Sequence, residues 1–139
     1  MKYFIDTNIF LRFFIKENQR AFRETQAIIK LIKEGKIKTF TSYLVIAELD
    51  WTMNSYYKIP KEERLIILDS LLQLKNLSFS NNFDLVAALN FYRNYRVKFI
   101  DCLLASNSLL LAGKASIISY DKDFDRLKIK RIDPKKFQT

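Results

Sequence analysis

Short apolar runs alternate with longer amphipathic stretches along this chain, which predicts strands separated by helices. We predict strands at residues 2–5, 37–41, 77–79, 115–119 and 129–132. We predict helices at residues 7–15, 19–34, 43–57, 60–74, 83–94 and 98–112. This order predicts the α/β class, with a short, mostly parallel central sheet flanked by helices. We expect residues 1–139 to form a single domain, since no linker, repeat or low-complexity segment interrupts them.

Local signals at the ends of these stretches support the assignment. Gly35 and Gly113 each follow a predicted helix, where glycine readily adopts the left-handed conformation that ends it. Ser42 precedes the helix at 43–57, and its hydroxyl can accept a hydrogen bond from a free amide of the first turn. Pro60 suits the first turn of the next helix, because its fixed φ is already helical.

Four carboxylates interrupt otherwise apolar sequence. Asp6 directly follows the first predicted strand, and Asp121 follows the predicted strand at 115–119. Glu48 and Asp101 lie on predicted helices, among mainly apolar neighbours. A buried charge is costly unless it is paired or binds a metal, so these acids suggest a shared cation. Ligands of parallel α/β sheets bind beyond the carboxyl ends of the strands, where Asp6 and Asp121 are predicted to lie.

Each acid also has an ordinary structural interpretation. Asp6 can cap a helix, and Asp101 can favour the positive end of a helix dipole. Glu48 can be a solvated residue at a helix edge, and periodicity alone does not separate it from Asp50. Asp121 can belong to a solvated turn. The sequence therefore leaves both kinds of role open for each of these residues.

Composition excludes several classes of chemistry. The chain has no histidine and one cysteine, which excludes histidine-based catalytic triads, structural zinc and an internal disulfide. Its two glycines cannot form a phosphate-binding loop or a dinucleotide fingerprint. A bound metal must then rely on oxygen ligands, which favours Mg²⁺ or Mn²⁺.

The net charge of +9 suggests a polyanionic partner held near the acids by its backbone. A basic surface with no nucleic-acid partner is the alternative explanation of this charge. We find no apolar run as long as a membrane span and no signal peptide at the start. The sequence therefore predicts a cytoplasmic protein without membrane association.

Four segments together resemble the PIN domain, specifically VapC-like toxin ribonucleases of type II toxin–antitoxin systems. They are FIDTN at 4–8, SYLVIAEL at 42–49, DCLLA at 101–105 and SYDKDF at 119–124. Each segment alone is weakly specific, but the four occur in the family's order and spacing. The resemblance favours Glu48 over Asp50 as the second acid. Ser119 stands where a threonine is commoner in the family, which keeps the hydroxyl.

The resemblance implies a PIN-like α/β/α sandwich with Mg²⁺- or Mn²⁺-dependent endoribonuclease activity on single-stranded or looped RNA. It also implies a homodimer and a cognate antitoxin protein. The acids expected to bind metal and catalyse are Asp6, Glu48, Asp101 and Asp121, with Asp123 as a possible additional ligand and Asp125 undecided. The residues expected to orient them by hydrogen bonds are Thr7, Asn8 and Ser119. The residues expected to contact RNA phosphates are Arg12, Lys16, Arg93, Arg96 and Lys98.

Two other functions fit parts of the sequence. A catalytically silent RNA-binding or regulatory domain of the same fold would need no metal, although all four acids are present. A phosphoacceptor receiver or an aspartyl phosphatase also carries an aspartate after a strand. However, Asp6 is followed by Thr7 and Asn8, where those proteins would have further acids.

Overall fold

A computed structural model describes residues 1–138, which contain a single five-stranded sheet. The strands are β1 (Lys2–Ile5), β2 (Lys38–Thr41), β3 (Leu77–Phe79), β4 (Ala115–Ile118) and β5 (Arg131–Ile132). The helices are α1 (Thr7–Phe14), α2 (Gln19–Lys33), α3 (Tyr43–Ser55), α4 (Lys61–Leu72), α5 (Leu85–Asn94), α6 (Phe99–Ala105), α7 (Ser108–Leu111) and α8 (Asp123–Arg126). A 3-10 helix, Pro134–Phe137, follows β5.

The strand order is β3-β2-β1-β4-β5, and every pairing between these strands is parallel. The connections from β1 to β2 and from β2 to β3 proceed in one direction across the sheet. The connections from β3 to β4 and from β4 to β5 proceed in the other. Because such crossovers are right-handed, α1–α4 cover one face and α5–α8 cover the other. The predicted α/β/α class is confirmed.

The central strands are apolar because both of their faces are covered. Phe4 and Ile5 of β1 and Ile117 of β4 are fully buried, and the ring of Phe4 packs edge-on against Phe40 at 5.2 Å. The core is therefore built on the sheet, and it fixes the strand ends that carry the acids.

Within residues 1–138, no helix has the length and apolar character needed to cross a membrane.

The predicted caps are present. Gly35 has a φ of +69°, and its amide donates to the carbonyl of Ile32 at 3.0 Å, which closes the last turn of α2. The hydroxyl of Ser42 accepts a hydrogen bond from the amide of Val45 at 3.3 Å and caps α3. Pro60 precedes α4 as its N-cap residue, one position before the first turn predicted for it.

The predicted helix at 98–112 is two helices, α6 and α7. Asn107 separates them, because its side chain accepts a hydrogen bond from the amide of Leu109 at 3.0 Å and starts a new helix. Asn107 also forms an isolated antiparallel bridge with Phe83, which holds the break in place. Periodicity did not reveal this break, since the apolar positions continue through it. The short helix α8 and the final 3-10 helix were not predicted either.

The sheet has one switch point, between β1 and β4, where the chain leaves neighbouring strands in opposite directions. A crevice opens at such a point beyond the carboxyl ends of the two strands. Ile5 and Ile118 are paired in register there, and the amide of Asp6 donates to the carbonyl of Ile118 at 3.2 Å. The next residues of both strands, Asp6 and Ser119, therefore emerge side by side.

Candidate functional site

Asp6 is held rigidly at the switch point. Its side chain is 4% exposed, and both carboxylate oxygens accept hydrogen bonds. Oδ1 accepts from the amide of Thr7 at 2.8 Å, so Asp6 caps α1 as its ordinary structural interpretation predicts. Oδ2 accepts from the hydroxyl of Ser119 at 2.6 Å. The cap therefore fixes Asp6 in the crevice and does not exclude a role there.

Ser119 connects the acids of the two strands. While it donates to Asp6, its oxygen accepts a hydrogen bond from the amide of Asp121 at 2.9 Å. The Oδ1 atom of Asp121 in turn accepts from the amide of Asp123 at 2.9 Å. This chain of hydrogen bonds fixes the turn after β4, and it keeps Asp121 at the same end of the sheet as Asp6.

Glu48 and Asp50 have different partners, although both lie on α3. The hydroxyl of Thr7 donates to Oε1 of Glu48 at 2.5 Å, which links Glu48 to the residue beside Asp6. Asp50 instead pairs with Arg64 of α4 at 2.7 Å. The structure thus separates two acids that periodicity could not, with Glu48 at the crevice and Asp50 in an ion pair between helices.

Asp101 completes a close group of three acids. It lies in the first turn of α6 and is 6% exposed. Donor oxygens of Asp101, Asp121 and Asp123 lie within 4.8 Å of one another. Among the described residues, Oδ2 of Asp101 is the one buried side-chain oxygen or nitrogen that has no hydrogen-bond partner. Asp125 is turned away from this group, because both of its oxygens accept from Arg131 at 3.1 Å.

This crowding changes how the buried acids titrate. Burial raises the pKa of Asp101 to about 8, and the negative charges of Asp6, Asp121 and Glu48 add to the increase. Burial likewise raises the pKa of Asp6 to about 6, although its hydrogen bonds from Ser119 and Thr7 oppose the increase. Both shifts mean that ionising these acids is costly, in part because they repel one another. A hard divalent cation, bound by carboxylate oxygens, would remove that repulsion.

The residues expected to orient the acids are not equivalent. Thr7 and Ser119 donate hydrogen bonds to Glu48 and Asp6, respectively. Asn8 is half-buried and lines a separate cleft, which it shares with Arg12. The geometry thus fits the expected orienting role for Thr7 and Ser119. Within the described part of the chain, Asn8 lines the neighbouring cleft instead of donating to one of the acids.

The five predicted phosphate-binding residues are spread over two sides of the acid group. Arg12 lines the cleft beside α1, and the ammonium of Lys16 lies 4.7 Å from the ring centre of Phe22. Arg93, Arg96 and Lys98 are exposed on α5 and in the segment before α6. The carbonyl of Lys98 accepts from the amide of Asp101 at 3.1 Å, so this segment adjoins the acids.

Sequence reasoning missed some polar residues near the crevice. Glu24 on α2 is 3% exposed and accepts a hydrogen bond from the hydroxyl of Tyr120 at 2.8 Å. It lies at helical spacing from the buried Ala21 and Ile28, and that periodicity could have identified it. Arg131 donates to the carbonyl of Ser119 at 2.9 Å as well as to Asp125. No local pattern indicated that link, which depends on the pairing of β4 with β5.

Comparison with known proteins identifies the family and the fold. Residues 3–130 match the family model of the PIN domain. VapBC2 from Rickettsia felis, solved bound to a DNA fragment from its promoter, is 19% identical with a TM-score of 0.65, covering 95% of this chain and 98% of that one. VapBC-1 from nontypeable Haemophilus influenzae is 18% identical with a TM-score of 0.67, covering 97% and 99%. These structures share the fold. Comparison with curated protein sequences gives no significant match.

Proposed function

Since the chain belongs to the PIN domain family, we propose that it is a Mg²⁺- or Mn²⁺-dependent endoribonuclease that cleaves single-stranded or looped RNA. The observation that carries this proposal is the buried Asp101, whose Oδ2 atom has no partner within residues 1–138 and which adjoins two further acids. Such a group must either take up a proton, as its raised pKa of about 8 indicates, or be neutralised by a cation. The proposed site comprises Asp6, Glu48, Asp101 and Asp121, with Asp123 as a fifth acid.

The donor set suits a hard cation. All five acids offer carboxylate oxygens, which Mg²⁺ and Mn²⁺ prefer. Oxygens of Asp101, Asp121 and Asp123 lie within 4.8 Å of one another. Asp101 and Asp121 would hold the ion, and Asp6, Glu48 and Asp123 would bind it directly or through water. When bound, the ion supplies neutralisation of the acids, activation of a water for attack on the phosphodiester, and stabilisation of charge on the leaving oxygen.

The remaining polar residues keep the acids in position. Ser119 prevents Asp6 from rotating, because it donates to one carboxylate oxygen while the Thr7 amide donates to the other. The hydroxyl of Thr7 does the same for Glu48. Such partners set the direction of a ligand's lone pairs and therefore its affinity for metal. The chain has no histidine, and the groups nearest the proposed ion that can accept or donate protons are carboxyl groups and water.

Basic side chains on both sides of the acids support an RNA substrate. On one side, Arg12 and Lys135 line the cleft beside α1. On the other, Arg126 donates to the carbonyl of Arg96 at 3.0 Å and pairs with Asp123 at 3.4 Å. A strand crossing the acids would then meet positive charge before and after the bond that is cut. Lysine and arginine contacts of this kind bind phosphates without reading sequence.

The structural likeness to VapBC complexes supports a more specific biological role. We propose that the protein is the toxin of a VapBC-like pair, acts in the cytoplasm, forms a homodimer and binds a cognate antitoxin. Two groups of exposed apolar residues would supply contact area for these partners. One comprises Trp51, Tyr56, Leu65, Ile66 and Leu72 on and beside α3 and α4, and the other comprises Leu85, Val86, Leu89, Tyr92 and Phe99 on α5 and α6.

Cleavage of defined RNAs tests the proposed activity. Purified protein, freed of metal with a chelator, should leave a single-stranded RNA intact, and added Mg²⁺ or Mn²⁺ should produce cuts at mapped positions. Asp121→Asn, purified in parallel, is the control for contaminating ribonuclease and should not cut. Cutting that persists in excess chelator, or that is equal in the variant, would contradict the proposal. Binding of RNA without metal-dependent cutting by the wild type would favour the catalytically silent alternative.

A further inference from the structure

A polar cleft of about 410 Å³ lies beside the acids, and the proposed chemistry does not use it. It is formed by α1, α2, the turn after β4 and the final 3-10 helix. Its lining includes Asn8, Arg12, Arg20, Glu24, Tyr120 and Lys135. Its volume falls within the range of about 300–1,000 Å³ found for small-ligand sites in proteins.

The cleft adjoins the proposed site through the backbone. Asn8 directly follows Thr7, the residue that hydrogen-bonds both Asp6 and Glu48. Tyr120 lies between Ser119 and Asp121. Tyr120 is next to Asp121, and Asn8 is two residues from Asp6. Because consecutive Cα atoms are about 3.8 Å apart, the cleft begins within two residues of an acid on two separate elements. A ligand that crosses the acids can therefore extend into it.

The floor of the cleft carries a fixed hydrogen-bond acceptor. Glu24 is 3% exposed, and its Oε1 accepts from the hydroxyl of Tyr120 at 2.8 Å. Its Oε2 lies 3.5 Å from Nε of Arg20, whose side chain is 72% exposed. A carboxylate has about four lone-pair sites, so these contacts leave capacity for further donors. Amino and imino groups of an unpaired base are donors of that kind.

The rim of the cleft carries positive charge. The side chain of Arg12 is 35% exposed, and its one ion pair within residues 1–138 is a long 3.9 Å contact with Glu17. Lys135, the first lysine of the final 3-10 helix, is exposed. A bare phosphate would meet Glu24 and Asp133 as well as these cations, and an apolar peptide segment would bury the charged groups of Arg12, Glu24 and Lys135 without pairing them. A nucleotide, with a base that donates and a phosphate that accepts, matches both parts of the lining.

We infer that this cleft holds one unpaired nucleotide of the RNA, next to the bond that is cut. The base lies toward Glu24 and Asn8, and the phosphate lies against Arg12 and Lys135. This inference rests on the proposed function, since it extends the same RNA across the acids. Its consequence is that the cleft, and not the metal-binding acids, selects the base at one flanking position.

Two adjacent lysines allow a matched test of the rim. Lys135 lines the cleft, whereas Lys136 is equally charged and exposed but does not line it. We expect Lys135→Ala to weaken binding of a labelled single-stranded RNA about 3- to 10-fold, measured by fluorescence anisotropy in chelator. The slope of log affinity against log salt should fall by about 0.7, as for one phosphate contact on a single strand. Lys136→Ala should change both quantities less. Equal effects of the two substitutions would overturn the inference and leave a protein segment as the occupant.

Abasic nucleotides test the floor of the cleft. One abasic position near the cut should weaken binding to the wild type, and that penalty should shrink at least threefold in Glu24→Gln. Asn8→Ala should reduce the same loss of affinity at the abasic position. Because two different variants test this loss, misfolding of one of them leaves the other to decide the result. The inference is overturned if no position carries a penalty or if neither variant reduces it. These binding measurements are made in chelator and do not depend on cleavage. Failure of the protein to cut RNA in the separate Mg²⁺ assay would refute the nuclease proposal without affecting them.

Discussion

Asp101→Asn is expected to abolish cleavage while making the metal-free protein more stable. The substitution keeps the shape of the side chain and removes a buried charge that faces three other acids. Altering a group that merely orients a metal ligand costs about 10- to 100-fold in activity or affinity, so loss of a proposed ligand should cost at least about 100-fold. Removing the buried charge, and with it the repulsion, should raise the free energy of unfolding by on the order of 2 kcal/mol at alkaline pH.

The pH dependence of this gain follows from the direction of the pKa shift. In the folded protein the pKa of Asp101 is about 8, above the ordinary value of 3.8. Between those values the folded state holds a proton that the unfolded state releases. Metal-free wild type should therefore lose stability as pH rises from about 4 to about 8, and Asp101→Asn should remove most of that loss. Asp6, with its pKa of about 6, would still contribute over the lower part of the range.

Thermal unfolding with and without Mg²⁺ measures both effects. Mg²⁺ should raise the Tm of the wild type clearly and that of Asp101→Asn little, because ligand binding to the folded state stabilises it. Asp69→Asn is the matched control, since Asp69 is exposed on α4 and should behave as wild type in every assay. A variant at Asp101 that cuts RNA normally, or that is less stable than wild type in chelator at high pH, would contradict the assigned role.

Ser119→Ala is expected to give a large loss of cleavage although Ser119 is not a proposed metal ligand. The serine hydroxyl donates to Asp6 at 2.6 Å and accepts from the amide of Asp121 at 2.9 Å, so the variant frees one oxygen of Asp6 and loosens the backbone that carries Asp121. We expect cleavage to fall about 10- to 100-fold, with a higher Mg²⁺ concentration needed for half-maximal activity. The hydrogen bond from Ser119 lowers the pKa of Asp6, so its loss should raise that pKa further. The activity of the variant should therefore recover partly as pH increases.

Two further variants separate this role from a packing defect. Ser119→Thr keeps the hydroxyl and should retain more activity than Ser119→Ala. Ser116→Ala removes a buried hydroxyl from β4, the strand that Ser119 directly follows, and should leave the Mg²⁺ requirement unchanged. Parallel measurement of rates against Mg²⁺ and pH gives the comparison. Equal Mg²⁺ requirements in Ser119→Ala and wild type would show that the hydroxyl does not orient the acids for metal.

The sheet and the ends of its strands were predictable because their signals are local. Apolar runs such as 2–5 and 115–119 mark buried strands, and Gly35 and Ser42 mark the ends of helices. The break at Asn107 was not predictable, because it depends on a bridge to Phe83 that only the folded chain creates. The side-chain hydrogen bond of Asn107 interrupts the helix there, although the helical pattern of apolar residues continues across the break.

The site was predictable as a set of residues but not as a set of contacts. Asp101 stands among apolar residues in the sequence. These neighbours alone predict that its charge is buried, which is costly. The choice of Glu48 over Asp50 came from resemblance, and the geometry that separates them depends on Thr7 and Arg64 from distant elements. The partners of Asp125 and Glu24 likewise come from other strands and helices. Metal binding by these acids stays a prediction.

A crystal structure of the protein grown with Mn²⁺, with anomalous diffraction used to locate the metal, would decide whether the acids share a cation. We expect an anomalous peak at the carboxyl ends of β1 and β4, with carboxylate oxygens of Asp101 and Asp121 at about 2.1 Å from it. Crystals grown with Mn²⁺ that show no peak there, or a peak only at acids elsewhere on the surface, would contradict the proposed metal site.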